Sequence, residues 1–159
     1  PVAMLAGGRG AVKVLLGMGG ETMLSDNAMR HIVTRLTDEG LVIEIFDVEG
    51  APLFVGDSDA PSPVTVTILE TITGVLGAVR NDIAVSGHVR TRSVLRLDYS
   101  VWDLSTSRAS RVRLLLENAG LEPARMARLT GKADRAHVAP DPKALRNNRI
   151  ELIVLRSDR

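Results

Sequence analysis

The chain contains no cysteine, which excludes a disulfide-stapled scaffold and any thiolate metal centre. Aromatic residues make up only 3% of the 159 residues, against 45% apolar residues in all. The core therefore has to be built from Val, Ile, Leu and Ala. No run approaches the roughly 18 consecutive apolar residues of a membrane span. No secretory signal pattern opens the sequence, which starts at Pro1 and not at Met. The chain is thus expected to be a mature product or a piece of a longer protein, with any membrane anchor outside it. Phosphate-binding fingerprints are missing as well. "GGRGAVK" (7–13) puts Lys13 where a third glycine belongs and has no strand before it. "SGH" (86–88) lacks the G-x-S-x-G elbow of a serine nucleophile. The three histidines, His31, His88 and His137, share no metal-ligand spacing.

What is present is Val, Ile and Leu at helical and strand spacings, and arginine. A chain of this length can bury one sizeable core. Net charge is +1, but residues 1–83 carry 5 Lys/Arg against 11 Asp/Glu and residues 84–159 carry 15 against 8. Of the basic residues 17 are Arg and 3 are Lys, and Arg is the planar donor that fits carboxylates and phosphates two bonds at a time. The basic half either neutralises the acidic half or meets an anionic partner. Its only aromatics are Tyr99 and Trp102, too few for the stacking platform of a single-strand nucleic-acid binder.

Residues 1–24, with six glycines in the first twenty, read as a linker. Ser25 as an N-cap and the spacing of Ala28, Ile32 and Leu36 predict a helix over 25–39 that stops at Gly40. "LVIEIF" (41–46) predicts a strand, Glu49-Gly50 a turn, Leu53-Phe54 a second short strand, and "GDSDAPSP" (56–63) a loop. Residues 64–79 keep helical spacing. "DIAVSG" (82–87) predicts a strand and 105–118 a helix, with Ser105 as N-cap and Gly120 as stop. "ARLTG" (127–131) and "NRIELIVLR" (148–156) predict the last two strands. Alternating elements of this kind make an α/β two-layer sandwich: helices on one face of a small mixed sheet. In this reading Arg108 is a cation in the first helical turn, where it opposes the dipole. It either faces water, pairs with Asp103, or completes a carboxylate receptor with the free helix N–H groups.

Four segments, "IAVSGHV", "WDLSTSRA", "RLTGKADR" and "RNNRIELIVL", resemble in order and spacing the motifs of the OmpA-like peptidoglycan-binding domain. The match runs over about residues 82–156. "LVIEIFDVEGAPLF" and "WDLS" are similar to the corresponding segments of the MotB family of flagellar motor stator subunits. The resemblance implies a β-α-β-α-β-β sandwich that is not an enzyme, uses no cofactor and binds no nucleic acid. It implies a periplasmic domain of an inner-membrane-anchored protein that binds the diaminopimelate-containing stem peptide of peptidoglycan and anchors the stator to it. It also implies a homodimer and a membrane partner subunit, MotA, engaged through a region absent from this chain. A cell-wall-tethering lipoprotein or outer-membrane anchor is the alternative within the same superfamily. An anion- or RNA-binding α/β module is the alternative outside it.

Carried over motif by motif, the resemblance makes Arg108 the carboxylate receptor, with the backbone of Leu104 and Ser105. Asn147 and Arg149 match the ends of N-R-R. His88 and Arg90 fall in G-H-T-D, and there Arg90 replaces the acid that takes the ammonium. Val101 and Asn148 replace an Asn and an Arg of the family pattern. Asp98 or Asp103 is the substitute acid available nearby.

Overall fold

The computed structural model describes residues 25–91 and 100–157; the Gly-rich segment 1–24 and Asp98 lie outside them. A single-turn helix α1 (Asp26–Met29) leads into β1 (Ile32–Leu36) and β2 (Gly40–Phe46). Then come α2 (Pro63–Leu76), β3 (Ile83–His88), α3 (Val101–Asn118), β4 (Met126–Gly131) and β5 (Arg149–Leu155). The strands form one sheet in the order β1-β2-β5-β3-β4. All neighbours run antiparallel except β3 and β4, which are parallel and joined by the α3 crossover. The two-layer sandwich expected from the alternating pattern is what the chain forms.

Both long helices lie on one face of the sheet. Ile68, Leu69, Ile72 and Leu76 of α2 and Ala109, Val112 and Leu116 of α3 are buried against Ile43, Ile45, Ile83, Val85, Leu152 and Val154. Full burial of such a side chain contributes about 1.5–3 kcal/mol. An aliphatic set this dense needs little aromatic help, and Phe54 is the aromatic that joins the cluster among the described residues. Among the described residues the other face of the sheet carries no helix. Its buried apolar cluster is small, Val42, Ala84 and Ile153 with Leu155 beside them, and the buried charges Glu44, Arg149 and Glu151 lie on the same side.

The helix expected over 25–39 is not formed beyond one turn. Ser25 does cap, its hydroxyl accepting from the Ala28 amide at 3.2 Å, but residues 32–36 are a strand. The segment contains β-branched Ile32, Val33 and Thr34, and it alternates. Ile32 and Thr34 register with Ile45 and Ile43 on the core side, while Val33 and Arg35 register with Glu44 and Val42 on the helix-free side. Pairing with the strong neighbouring strand overrides a helical spacing that the same residues also satisfy. Gly40 is not a helix stop. It opens β2 at φ 149°, after a tight hairpin in which Thr37 and Gly40 exchange backbone hydrogen bonds of 2.9 and 3.2 Å. Leu53-Phe54 makes only an isolated bridge between Phe54 and Pro61, not a strand.

The second correction concerns α3. Its N-cap is Ser100, not Ser105; the Ser100 hydroxyl accepts from the Trp102 and Asp103 amides. Asp103 in the first turn then complements the dipole. Arg108 falls in the second turn, where the dipole argument no longer penalises it.

Two glycines seat α3 on the sheet. Gly87 and Gly131 are cross-strand partners in the β3–β4 register. A Cβ on Gly87 would come within 2.2 Å of the Ser105 carbonyl oxygen, and one on Gly131 within 2.1 Å of the Thr106 hydroxyl. Their bare backbones let the helix rest directly on the strand ends.

Candidate functional site at the N-terminal end of the third helix

The residues singled out in the sequence divide into two groups at the same end of the sheet. One group surrounds the start of α3. Ser105 is fully buried; its hydroxyl donates to the Trp102 carbonyl and accepts from the Ala133 amide, both at 3.0 Å. It thereby ties the helix to the turn after β4, where Ala133 adopts φ 52°. Leu104 and Asp103 line a bowl of about 380 Å³ together with Asp57, Ser58, Asp59, Ser100 and Ser107. Arg108 is only 5% exposed. Its Nε donates to the Ser58 carbonyl and its Nη2 to the Gly56 carbonyl, each at 2.9 Å. Its guanidinium also sits 4.8 Å from the Phe54 ring centroid.

Arg108 therefore carries the 56–59 loop on its guanidinium. Further out, the Ser107 hydroxyl donates to the Asp59 carboxylate at 2.7 Å, and Arg111 stands 3.7 Å from the same carboxylate. The outcome is a rim of three carboxylates, Asp57, Asp59 and Asp103, around a helix N-terminus. Such a bowl presents acceptors for an ammonium beside the positive field of the helix end; the Trp102 and Asp103 amides are taken by the Ser100 hydroxyl and the Leu104 amide by the Ser100 carbonyl.

Asp47 was not singled out in the sequence. Its carboxylate accepts from the Leu53 amide at 2.9 Å and from the Asn148 side-chain amide at 3.1 Å. Burial pushes its pKa above the ordinary value, against the opposing pull of those hydrogen bonds and of the Arg108 and Arg90 charges. Asn148, which stands where the family has an arginine, bridges the two sides: its Oδ1 accepts from the Arg90 amide at 2.7 Å. Arg90 extends outward to the Lys143 carbonyl at 3.2 Å. Only the Glu49-Gly50 turn and the short strand expected at Leu53-Phe54 marked the Asp47 segment in the sequence; nothing there made it a partner of the N-R-R region.

The second group faces away from the helices. Asn147 is fully buried and pins the 138–141 loop, accepting from the Val138 and Ala139 amides and donating to the Asp141 carbonyl. Arg149 and His88 are cross-strand partners on the helix-free side. Arg149 Nε donates to Glu151 at 2.9 Å and Nη2 to the Ala136 carbonyl at 2.7 Å. His88 Nε2 lies 2.9 Å from the Ser86 hydroxyl and 3.9 Å from Glu151. Burial first, and then the Arg149 charge, push the His88 pKa down to about 4. Serine, histidine and glutamate thus come together, but the hydroxyl and the acid meet the same ring nitrogen. A triad requires the acid on the opposite one. Arg108 and Arg149 therefore do not share one pocket.

No family model matches the chain. Motility protein B of Escherichia coli K12 is 34% identical over 128 residues, which cover 79% of this chain and 42% of that protein. The chain thus spans about two fifths of the length of this curated relative. The cell wall anchor of the T6SS from Pseudomonas aeruginosa superposes with a TM-score of 0.72 at 24% identity, covering 94% of this chain and 100% of that one. The periplasmic domain of Helicobacter pylori MotB superposes with a TM-score of 0.69 at 22% identity, covering 83% of each. The superpositions show the fold of MotB periplasmic and OmpA-like domains, and the sequence kinship with motility protein B places the chain in the MotB family.

Proposed function

We propose that this chain is the wall-anchoring, non-catalytic periplasmic domain of a flagellar stator subunit. It holds the diaminopimelate-containing stem peptide of peptidoglycan in the bowl at the start of α3, and it acts as a homodimer beside MotA in the assembled stator. The kinship with motility protein B supports the family. The observation that carries the site is the seating of "LSTSRA": Leu104 lines the bowl, Ser105 locks the helix to the β4 turn, and Arg108 holds the acidic loop over the helix end.

A diaminopimelate centre carries an ammonium and a carboxylate on one carbon. The positive end of the α3 dipole, with the Arg108 charge behind it, suits the carboxylate. Arg90 occupies the family's ammonium-acceptor position and cannot accept. The loop acids Asp57 and Asp59 with Asp103 supply the replacement acceptors. The non-catalytic reading is supported by the Ser86–His88–Glu151 arrangement, in which both partners converge on His88 Nε2.

Co-sedimentation with purified diaminopimelate-type sacculi tests the proposal. The parent chain pellets, Asp103→Asn pellets several-fold less, and lysine-type sacculi, which lack the second centre, retain less protein. A parent chain that stays in the supernatant while folded overturns it.

A further inference from the structure

The helix-free face of the sheet holds an arrangement that wall anchoring at α3 does not use. Glu44 and Glu151 are direct cross-strand partners, so two like charges meet where repulsion is strongest. Three arginines answer them. Arg35 reaches Glu44 at 2.6 Å and Glu151 at 3.3 Å. Arg146 pairs with Glu44 while stacked 3.8 Å over the Phe46 ring. Arg149 takes Glu151 at 2.9 Å. His88 is held neutral here by burial and by Arg149. Three guanidiniums against two carboxylates leave one positive charge in excess.

That excess has a definite address. Arg149 is 4% exposed, and its Nη1 is buried without a hydrogen-bond partner. His88 Nδ1 is likewise buried without one. A buried guanidinium donor with no acceptor is costly, more so than a neutral amide. Both side chains line a groove of about 710 Å³ on this face, with Ser86, Thr130 and Lys132. Pockets of roughly 300–1,000 Å³ hold small molecules. Two acids also line the groove: Glu39, held by Arg128 at 2.8 Å, and Asp38.

We propose that this groove binds the carboxylate or phosphate group of a small ligand, with Arg149 Nη1 as the buried anchor and Lys132 as the cation at the mouth. The anion supplies the acceptor that the protein leaves out and neutralises the cluster. The site is on the opposite face of the sheet from α3, so its occupancy is independent of sacculus binding.

The test is an NMR titration of the whole chain with acetate and, separately, inorganic phosphate, with chloride holding ionic strength constant. The expected result is saturable shifts at the Ser86, His88 and Lys132 amides and at the His88 ring. The anion that saturates at the lower concentration identifies the ligand class. Arg149→Lys keeps the charge but removes the fork, and weakens binding roughly tenfold. Lys132→Ala, on the exposed mouth, weakens it several-fold without touching the fold. Shifts that stay linear with both anions overturn the proposal. So does saturation that perturbs only the α3 end, or an affinity unchanged in Lys132→Ala and in folded Arg149→Lys. Should Arg149→Lys unfold, the parent titration and Lys132→Ala decide alone.

Discussion

Replacing Arg108 by Met separates two roles that one guanidinium can play. Met keeps the length and the apolar stem of the side chain but donates nothing. The loss then includes two charge-assisted hydrogen bonds to the Ser58 and Gly56 carbonyls and the contact with Phe54. Buried hydrogen bonds to a charged group contribute about 1.5–3 kcal/mol each. Gly56 is exposed and Ser58 half-buried, so water regains both carbonyls and each loss shrinks to roughly 1 kcal/mol. The ring contact adds about 1 kcal/mol in a desolvated setting. The expected destabilisation is therefore about 3 kcal/mol, or roughly 10 °C in Tm for a domain of this size. Urea unfolding followed by circular dichroism measures it. Hydrogen exchange at the Val55 and Ser58 amides, which bond within the loop to Ala60 and Val55, locates it. A loss below about 1 kcal/mol with loop exchange unchanged refutes the reasoning. If sacculus binding were abolished in that same stable variant, Arg108 would be a ligand clamp and not a strut.

Two further outcomes are expected. Gly87→Ala drives a Cβ into the Ser105 carbonyl, a backbone atom that moves only with the whole of α3; the cost is about 1–3 kcal/mol or more, read by chemical denaturation, and a neutral result refutes the close seating of the helix. The second concerns pH. His88 has a folded-state pKa near 4 against 6.5 unfolded, so the unfolded chain takes up the proton first as pH falls. Stability contributed by the neutral ring is whole above about 6.5 and is lost towards pH 4, by about 3 kcal/mol in all. Arg149, Lys132 and Arg35 reinforce the shift and Glu151 opposes it. Glu151, whose own pKa is lowered mainly by His88 and Arg149 against its burial, adds a further fall below its ordinary range. His88→Gln is expected to flatten the upper part of that profile, and an unchanged profile refutes the assignment.

The architecture was legible wherever one signal dominated. "LVIEIF" and "RIELIVL" are dense in β-branched residues and lie where expected, and Gly120 ends α3 at φ 120° as a stop should. It was not legible at 25–39, because the spacing of Ala28, Ile32 and Leu36 fits a helix while their fate depended on a hairpin with β2. The true cap of α3 was missed because Ser100 and Ser105 are both good caps. The choice between them was made by Gly87 and Gly131, which fix where the helix can touch the sheet. In the candidate site, the family resemblance pointed to Leu104, Ser105 and Arg108, which lie together at the start of α3, but nothing in it showed that Arg108 supports a loop some 50 residues earlier in the chain. The separation of Arg149 and His88 onto the helix-free face follows from strand alternation, a period-two argument that needs the register first.

The strand order has a consequence for how the molecule comes into being. β5, the last strand in sequence among the described elements, is the central strand of the sheet and joins the β1–β2 hairpin to the β3–β4 pair. Until it arrives, no strand-to-strand ladder joins the β1–β2 hairpin to the β3–β4 pair. Closing such distant pairs is slow because loop closure precedes any reward. The five-stranded sheet is therefore completed only when β5 is in place. The groove lined by Arg35 and Val42 of the hairpin, His88 and Thr130 of the β3–β4 pair and Arg149 of β5 itself is assembled only at that moment.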